Sequence, residues 1–173
     1  MWIIRHAFAI AVLPVTVAVI VPLLLCRRYG VTFREPVSIA DWGCMIVAAA
    51  LFVIGAVLFV SSVALFATRG RGTLAPWDPP ARLVATGPYR YVRNPMISGV
   101  VLVLFGEALM LLSGPHVQWA LIFLVINFIY IPLLEEQQLK ARFGEEYIDY
   151  CRHVPRLLPR LRPWTPTTSD DSR

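Results

Sequence analysis

Two polar groups in this chain carry the residue types that bind or convert a ligand. One is the stretch Gly87-Pro88-Tyr89-Arg90-Tyr91-Val92-Arg93-Asn94-Pro95, and the other is the adjacent pair Glu135-Glu136. Asn94-Pro95 reads as a helix start, since asparagine can cap free backbone N–H groups and proline suits the first helical position. Such an end offers N–H donors and partial positive charge, with Arg93 beside it, and suits a carboxylate or phosphate. Read more plainly, Asn94-Pro95 only begins a helix. Glu135 and Glu136 fall where a helix should end, and there the helix dipole favours cations over carboxylates. A bound cation or hydroxyl-rich ligand would compensate; so, more simply, would a pairing of Glu136 with Lys140 one turn on. Tyr89 and Tyr91 could add aromatic faces for a purine or a cation. The combination of poles and rings suits a zwitterionic, adenine-bearing ligand.

The elements that must position these groups are apolar. The chain has 173 residues, 57% hydrophobic and 16% charged, with a mean hydropathy of +0.64. A soluble domain carries about a quarter charged residues, so the composition points to a membrane protein. Four apolar runs stand out: Ala7–Leu25, Met45–Ala67, Met96–Leu112 and Val117–Leu134. Each approaches the ~17–25 residues that cross ~30 Å of hydrocarbon as a helix. Pro14 and Pro22 should bend the first run without abolishing it, as membrane helices tolerate proline. Only Ser113-Gly114-Pro115-His116 separates the third run from the fourth. Two spans joined by so tight a turn return both polar groups to one face of the bilayer.

Arginine placement orients the spans. Arg5, the loop residues Arg69, Arg71, Arg82, Arg90 and Arg93, and the basic tail after Lys140 share one side, against Arg27, Arg28 and Arg34 on the other. The positive-inside rule puts both termini and the long loop in the cytoplasm. Trp2, Trp42 and Trp119 fall near span ends, where tryptophan collects. The net charge of +5 fits cytoplasmic arginines against anionic lipid, and no aromatic-basic pattern suggests nucleic acid.

The Arg69–Pro95 loop is long for a connector between helices, and Pro76-Trp77-Asp78-Pro79-Pro80 reads as a rigid turn within an ordered cap. Gly70-Arg71-Gly72 lacks the strand and further glycine of a nucleotide fingerprint. Beyond Glu136, the spacing of Leu139, Phe143, Tyr147 and Tyr150 predicts an amphipathic helix over roughly 135–152, which Pro155 ends. Glu107 lies inside the third span, where an ionisable group is costly and usually functional. Gln118 and Asn127 on the next span could pair with it. His6, His116 and His153 lack ligand spacing and read as surface residues. Cys26, Cys44 and Cys151 form neither a metal pattern nor a disulfide framework, so no metal site is expected.

Several of these residues together form an ordered motif set. Pro76-Trp77-Asp78-Pro79-Pro80, then Thr86 through Met96, then Gly106-Glu107-Ala108-Leu109, resembles the isoprenylcysteine carboxyl methyltransferase family. Glu135-Glu136, Arg142-Phe143-Gly144-Glu145-Glu146-Tyr147, Tyr150 and Val154-Pro155-Arg156 complete the likeness. The related membrane phospholipid methyltransferases share this core. The resemblance implies a small multi-span enzyme that binds S-adenosylmethionine in a cytosol-facing pocket and receives a lipophilic acceptor from the bilayer. It assigns Gly87, Tyr89, Arg93, Asn94, Pro95, Glu135 and Glu136 to the cofactor and names no catalytic residue. Asn94 and Asn127 stand where many relatives have histidine. An arginine that precedes the acidic pair in the prenylcysteine enzymes is replaced by Tyr130-Ile131-Pro132-Leu133-Leu134, which weakens prenylcysteine specificity.

The sequence therefore predicts an all-α integral membrane protein of about four transmembrane helices, with a cytosolic cap loop and a C-terminal amphipathic helix. Residues 1–164 form one domain and residues 165–173 a disordered tail. The expected function is S-adenosylmethionine-dependent methyl transfer to a small lipophilic or lipid acceptor. The competing reading is a non-catalytic membrane protein that binds a lipid headgroup or a protein partner. A membrane sterol reductase-like activity is a third reading, for which the chain is short.

Overall fold

The computed structural model describes residues 11–65, 68 and 83–165. Trp2, Arg5, His6, the Gly70-Arg71-Gly72 triplet, the Pro76–Pro80 turn and the tail from residue 166 lie outside the described residues. Among the described residues the secondary structure is entirely helical.

The first helix, α1, is π-helical over Ala11–Ile20 and α-helical over Val21–Tyr29. Pro14 lies inside the wider segment and Pro22 in the first turn of the narrower one. A proline has no N–H to give to the ladder, and the change of helix type at Ile20–Val21 places Pro22 where none is needed. Gly30, at φ 62°, ends α1 in the left-handed conformation, and the N–H of Val31 bonds to the Cys26 carbonyl at 3.0 Å.

Helix α2 runs over Ile39–Leu65 and begins with a reciprocal cap. The Asp41 N–H donates to Ser38 Oγ (3.1 Å), while the Ser38 N–H donates to the Asp41 carboxylate (2.9 Å). Helix α3 covers Pro95–Met110 and α4 covers Gly114–Tyr130. A π-helical turn, Ile131–Glu135, carries α4 into α5, Glu136–His153. Pro132 sits in that turn, so the locally wider ladder absorbs its missing donor and the chain stays helical past the acidic pair.

Small residues bring α2 and α3 together. Ala48, Gly55 and Ser62 recur every seven positions on α2 and are all buried. They face Gly99 and Gly106 on the antiparallel α3: a β-carbon at Gly55 would stand 2.6 Å from the Gly99 carbonyl oxygen, and one at Gly106 3.0 Å from that of Ala48. Ser62 satisfies its buried hydroxyl by donating to the Leu58 carbonyl at 2.6 Å. Helices in lipid associate through such close backbone approach, because apolar burial alone gains nothing there.

Helix α4 packs on α3 through Val100, Leu104 and Ala120, with Val17, Phe59, Phe105, Trp119 and Phe123 around them. Trp119 Nε1 donates to the Val17 carbonyl (3.0 Å), tying α4 to α1. His116, expected at the surface, is instead 2% exposed. Its ring spans Ser113 Oγ (2.7 Å) and the Pro22 carbonyl (3.2 Å), joining the α3–α4 turn to α1. Two polar partners on opposite ring nitrogens make its burial affordable where sequence spacing showed none.

Two helical runs, Ile39–Leu65 and Gly114–His153, are long and apolar enough to cross a membrane, with mean hydropathies of 2.8 and 2.1 in their most apolar stretches. Only 11% of the residues in each of those stretches are buried inside the chain, so neither is the core helix of a soluble domain. Val53, Ile54, Val57 and Val60 on α2, and Ile122, Val125, Ile126 and Ile129 on α4, form the exposed apolar surface. This is integral membrane character.

Candidate functional site

The end of the bundle where α3 begins and α4 gives way to α5 gathers the polar residues. Gly87–Arg90 is a 3-10 turn laid over the end of α2. Gly87 has φ 59°, and a β-carbon there would stand 2.5 Å from Leu65 Cδ1. The left-handed backbone demands glycine, while the Leu65 side chain could turn aside. Gly87 thus serves the turn, which buries Tyr89 at 6% exposure.

The acidic pair divides into two roles. The apolar run of the fourth helix stops at Leu134, and Glu136, 4% exposed, turns into the cap. Arg93 Nη1 bonds to Glu136 Oε1 at 2.8 Å, and Arg156 grips the same carboxylate twice, Nε to Oε1 at 2.7 Å and Nη2 to Oε2 at 3.0 Å. Burial alone would raise the Glu136 pKa. The Arg156 hydrogen bond and the charges of Arg93, Arg156 and Lys140 outweigh it and hold the carboxyl below its ordinary range. Lys140 acts only as a nearby charge; the partners that bond Glu136 come from far along the chain.

Glu135 makes no side-chain hydrogen bond among the described residues. Burial, with the Glu136 charge beside it, pushes its carboxyl up to about 7. Glu135 in turn bears on Tyr89, whose hydroxyl is shifted upward by burial first, then by Tyr150 and Glu135. Among the described residues, the Tyr89 hydroxyl, Arg93 Nε and Thr86 Oγ1 are buried without a hydrogen-bond partner. Buried polar groups are normally satisfied, so these three groups in one short segment could take hydrogen bonds from or to a polar ligand.

Asn94 occupies the N-cap of α3 but makes no side-chain cap, contrary to the sequence reading. Its carbonyl accepts from the Ser98 N–H and the Ser98 hydroxyl, each at 3.0 Å, and its own N–H donates to the Arg156 carbonyl at 3.3 Å. Pro95 stands in the first turn as expected. Tyr91 is 37% exposed at the rim.

The chain after α5 closes this end, which sequence periodicity did not reveal. The Arg93 N–H donates to the Pro155 carbonyl (2.8 Å), that of Arg160 to Tyr91 (2.9 Å) and that of Trp164 to Arg90 (3.0 Å). Arg90 Nη2 reaches Thr165 Oγ1 at 2.6 Å. A second core of Tyr147, Tyr150 and Val154, flanked by Leu83, Ala85, Leu139, Phe143, Cys151 and Trp164, lies beneath. Tyr150 donates to the Tyr89 carbonyl at 2.7 Å. The cap is thus α5, the 83–94 segment and the extended 154–165 strap together. Nor is α5 the continuous amphipathic helix expected over 135–152: Gly144, at φ 55° and ψ −131°, breaks it.

Arg156 is the site residue that the sequence reading missed. Its signal was present in the Val154-Pro155-Arg156 motif, but nothing in linear spacing pairs position 156 with 136. Cys151, which sequence spacing ties to no metal or disulfide, has a sulfur that accepts from Arg93 Nη1 at 2.9 Å. Glu107 lies away from this cluster. Its Oε2 is buried without a partner, Asn127 bonds instead to the Phe123 carbonyl (2.9 Å), and Gln118 is exposed.

Two curated relatives that the chain resembles are both methyltransferases by name. Methanethiol S-methyltransferase 2 of Bradyrhizobium diazoefficiens is 38% identical over 76 residues, covering 42% of this chain and 27% of that protein. Methanethiol S-methyltransferase of Crocosphaera subtropica is 38% identical over 74 residues, covering 41% of this chain and 27% of that protein. The chain thus overlaps about a quarter (27%) of the length of each relative. No solved structure matches the chain. The sequence pattern of phospholipid methyltransferases matches residues 44–146, a stretch that holds most of α2, all of α3 and α4, the Gly87–Pro95 segment and both glutamates. On that match across more than half its length, the chain belongs to the phospholipid methyltransferase family of S-adenosylmethionine-dependent enzymes.

Proposed function

We propose that this protein is an integral membrane methyltransferase that moves the methyl group of S-adenosylmethionine to a small lipophilic acceptor. The observation that carries the reading is the split acidic pair within the family-matched segment: Glu136 neutralised by two arginines, and Glu135 without a hydrogen-bond partner among the described residues. Glu135 would take the cofactor's amino group or ribose. The free Nε of Arg93, with the start of α3, would take its carboxylate, and the Tyr89 hydroxyl and Thr86 Oγ1 would complete the lining. Asn94 and Pro95 hold the entry of α3 in place, and Gly87 holds the turn that carries Tyr89.

Bound S-adenosylmethionine supplies an electrophilic methyl carbon, so the chain's task is to align the acceptor in line with the departing sulfur and to exclude water. Positioning of that kind supplies ~7–11 kcal/mol in favourable cases. The names of the two relatives favour a small thiol as acceptor over a prenylcysteine carboxylate or a phospholipid amine. A thiol that gives its proton to solvent attacks as the thiolate, displaces the cofactor sulfur and needs no general base from the chain.

In this reading α1 to α4 make four spans, with α3, about 24 Å long at ~1.5 Å per residue, the shortest. The site and both chain ends face the cytoplasm, as the arginine distribution directs.

Calorimetric titration of S-adenosylmethionine into the nanodisc-embedded chain tests the cofactor. Saturable micromolar binding is expected, followed by labelled methyl transfer to methanethiol. Absence of binding in both detergent and nanodiscs would favour a non-catalytic lipid- or partner-binding protein.

A further inference from the structure

The strap that closes the site leaves two leucines without cover. Leu158 is 82% exposed and Leu161 99% exposed, yet both lie in a segment pinned on either side. The Arg160 N–H bonds to the Tyr91 carbonyl at 2.9 Å, Arg160 Nη1 to the His153 carbonyl at 2.7 Å, and Ser98 Oγ to the Leu157 carbonyl at 3.2 Å. These leucines are therefore held outward.

Their depth follows from what the strap pairs with. Residues 91–94 lead directly into α3 and Ser98 lies in its first turn, so Leu157–Leu161 sits level with the end of the apolar belt. Leu133 and Leu134, at the end of the belt on the fourth helix, are 58% and 51% exposed. Arg152 and Arg162 are exposed on either side of the leucines. Apolar side chains beside basic ones at an interface are the pattern of a segment lying ~5–10 Å into the headgroup and acyl boundary, with each basic residue drawn to anionic lipid.

We propose that Arg156–Arg162 is a membrane-surface anchor: Leu158 and Leu161 insert at the acyl boundary of an anionic leaflet while Arg152 and Arg162 hold lipid phosphates. The bilayer then braces the strap whose Arg156 holds Glu136. The proposal rests on the reading that the helices cross a bilayer and is independent of methyl transfer.

The test uses the full chain in nanodiscs of phosphatidylcholine, with or without phosphatidylglycerol, bearing an environment-sensitive fluorescent amino acid in place of Leu161. Its emission is expected to shift to the blue and to be quenched by lipids brominated along the acyl chain. The same probe in place of the exposed Glu145 is expected to stay water-like. Equal, unquenched emission at both positions in a chain that has entered the disc would overturn the anchor while leaving the membrane reading intact. The unaltered chain provides a second measurement: trypsin should cut after Arg160, at the bond to Leu161, more slowly in discs with phosphatidylglycerol. Equal rates with and without it would overturn the assignment to an anionic surface.

Discussion

Glu135 and Glu136 are neighbours with opposite electrostatics, and each has its own pH signature. Glu135 is raised to about 7, so the folded chain holds a proton that the unfolded chain releases near ~4.3. Its contribution therefore lowers stability as pH rises from about 4.5 towards 7. Glu136 is depressed; its contribution is present above ~4.3 and lost as pH falls below that. A cationic ligand selects ionised Glu135, so affinity for S-adenosylmethionine is expected to rise between about pH 6 and 8. Titrations across that range should show the slope in the native chain and none in Glu135→Gln, which stays folded. In Glu136→Gln, by contrast, two arginines lose their shared carboxylate. Removing one partner of a buried pair costs ~3–5 kcal/mol, which thermal unfolding would register as a large drop, with cofactor affinity lost as a consequence.

At the scale of elements, the α2–α3 contact and the strap are the two devices that place the site. Gly55→Ala puts a methyl 2.6 Å from a backbone oxygen that cannot move without its helix, and a loss of ~1–3 kcal/mol is expected. Gly43, on the same helix, has nothing within 4 Å, so Gly43→Ala should gain ~0.5–1 kcal/mol from the backbone alone. Unfolding of the two variants in one detergent gives the contrast; a similar sign for both would deny the close approach its role. For the strap, Arg156→Met removes the bidentate grip but keeps the backbone bonds of residues 155, 160 and 164. Weaker S-adenosylmethionine binding is expected, with near-native helicity by circular dichroism.

At the scale of the whole molecule, the proposed four-span arrangement would put the Gly30–Ser38 connection and the cap on opposite sides of the bilayer. Val37 is 94% exposed and Glu145 is exposed. In intact cells an impermeant maleimide should label Val37→Cys, and should reach Glu145→Cys only after permeabilisation. The reverse pattern would turn the site outward and overturn the positive-inside assignment.

What the sequence determined by itself is what depends on local composition and on order. Apolar runs of membrane length, a proline-started third helix, helical continuation past the acidic pair and the family motif set were all legible. Each is a property of contiguous residues. The tertiary structure decided the partnerships. The seven-residue spacing of Ala48, Gly55 and Ser62 was visible in the chain but acquired meaning only opposite Gly99 and Gly106. His116 was read as a surface residue because its partners, Ser113 and the Pro22 carbonyl, meet only when α1 packs on α4. Which glutamate is paired and which is free depends on Arg156 arriving from the far side of α5. A side-chain charge is read from the sequence, but its neutralisation depends on distances of a few ångströms between residues that only packing brings together.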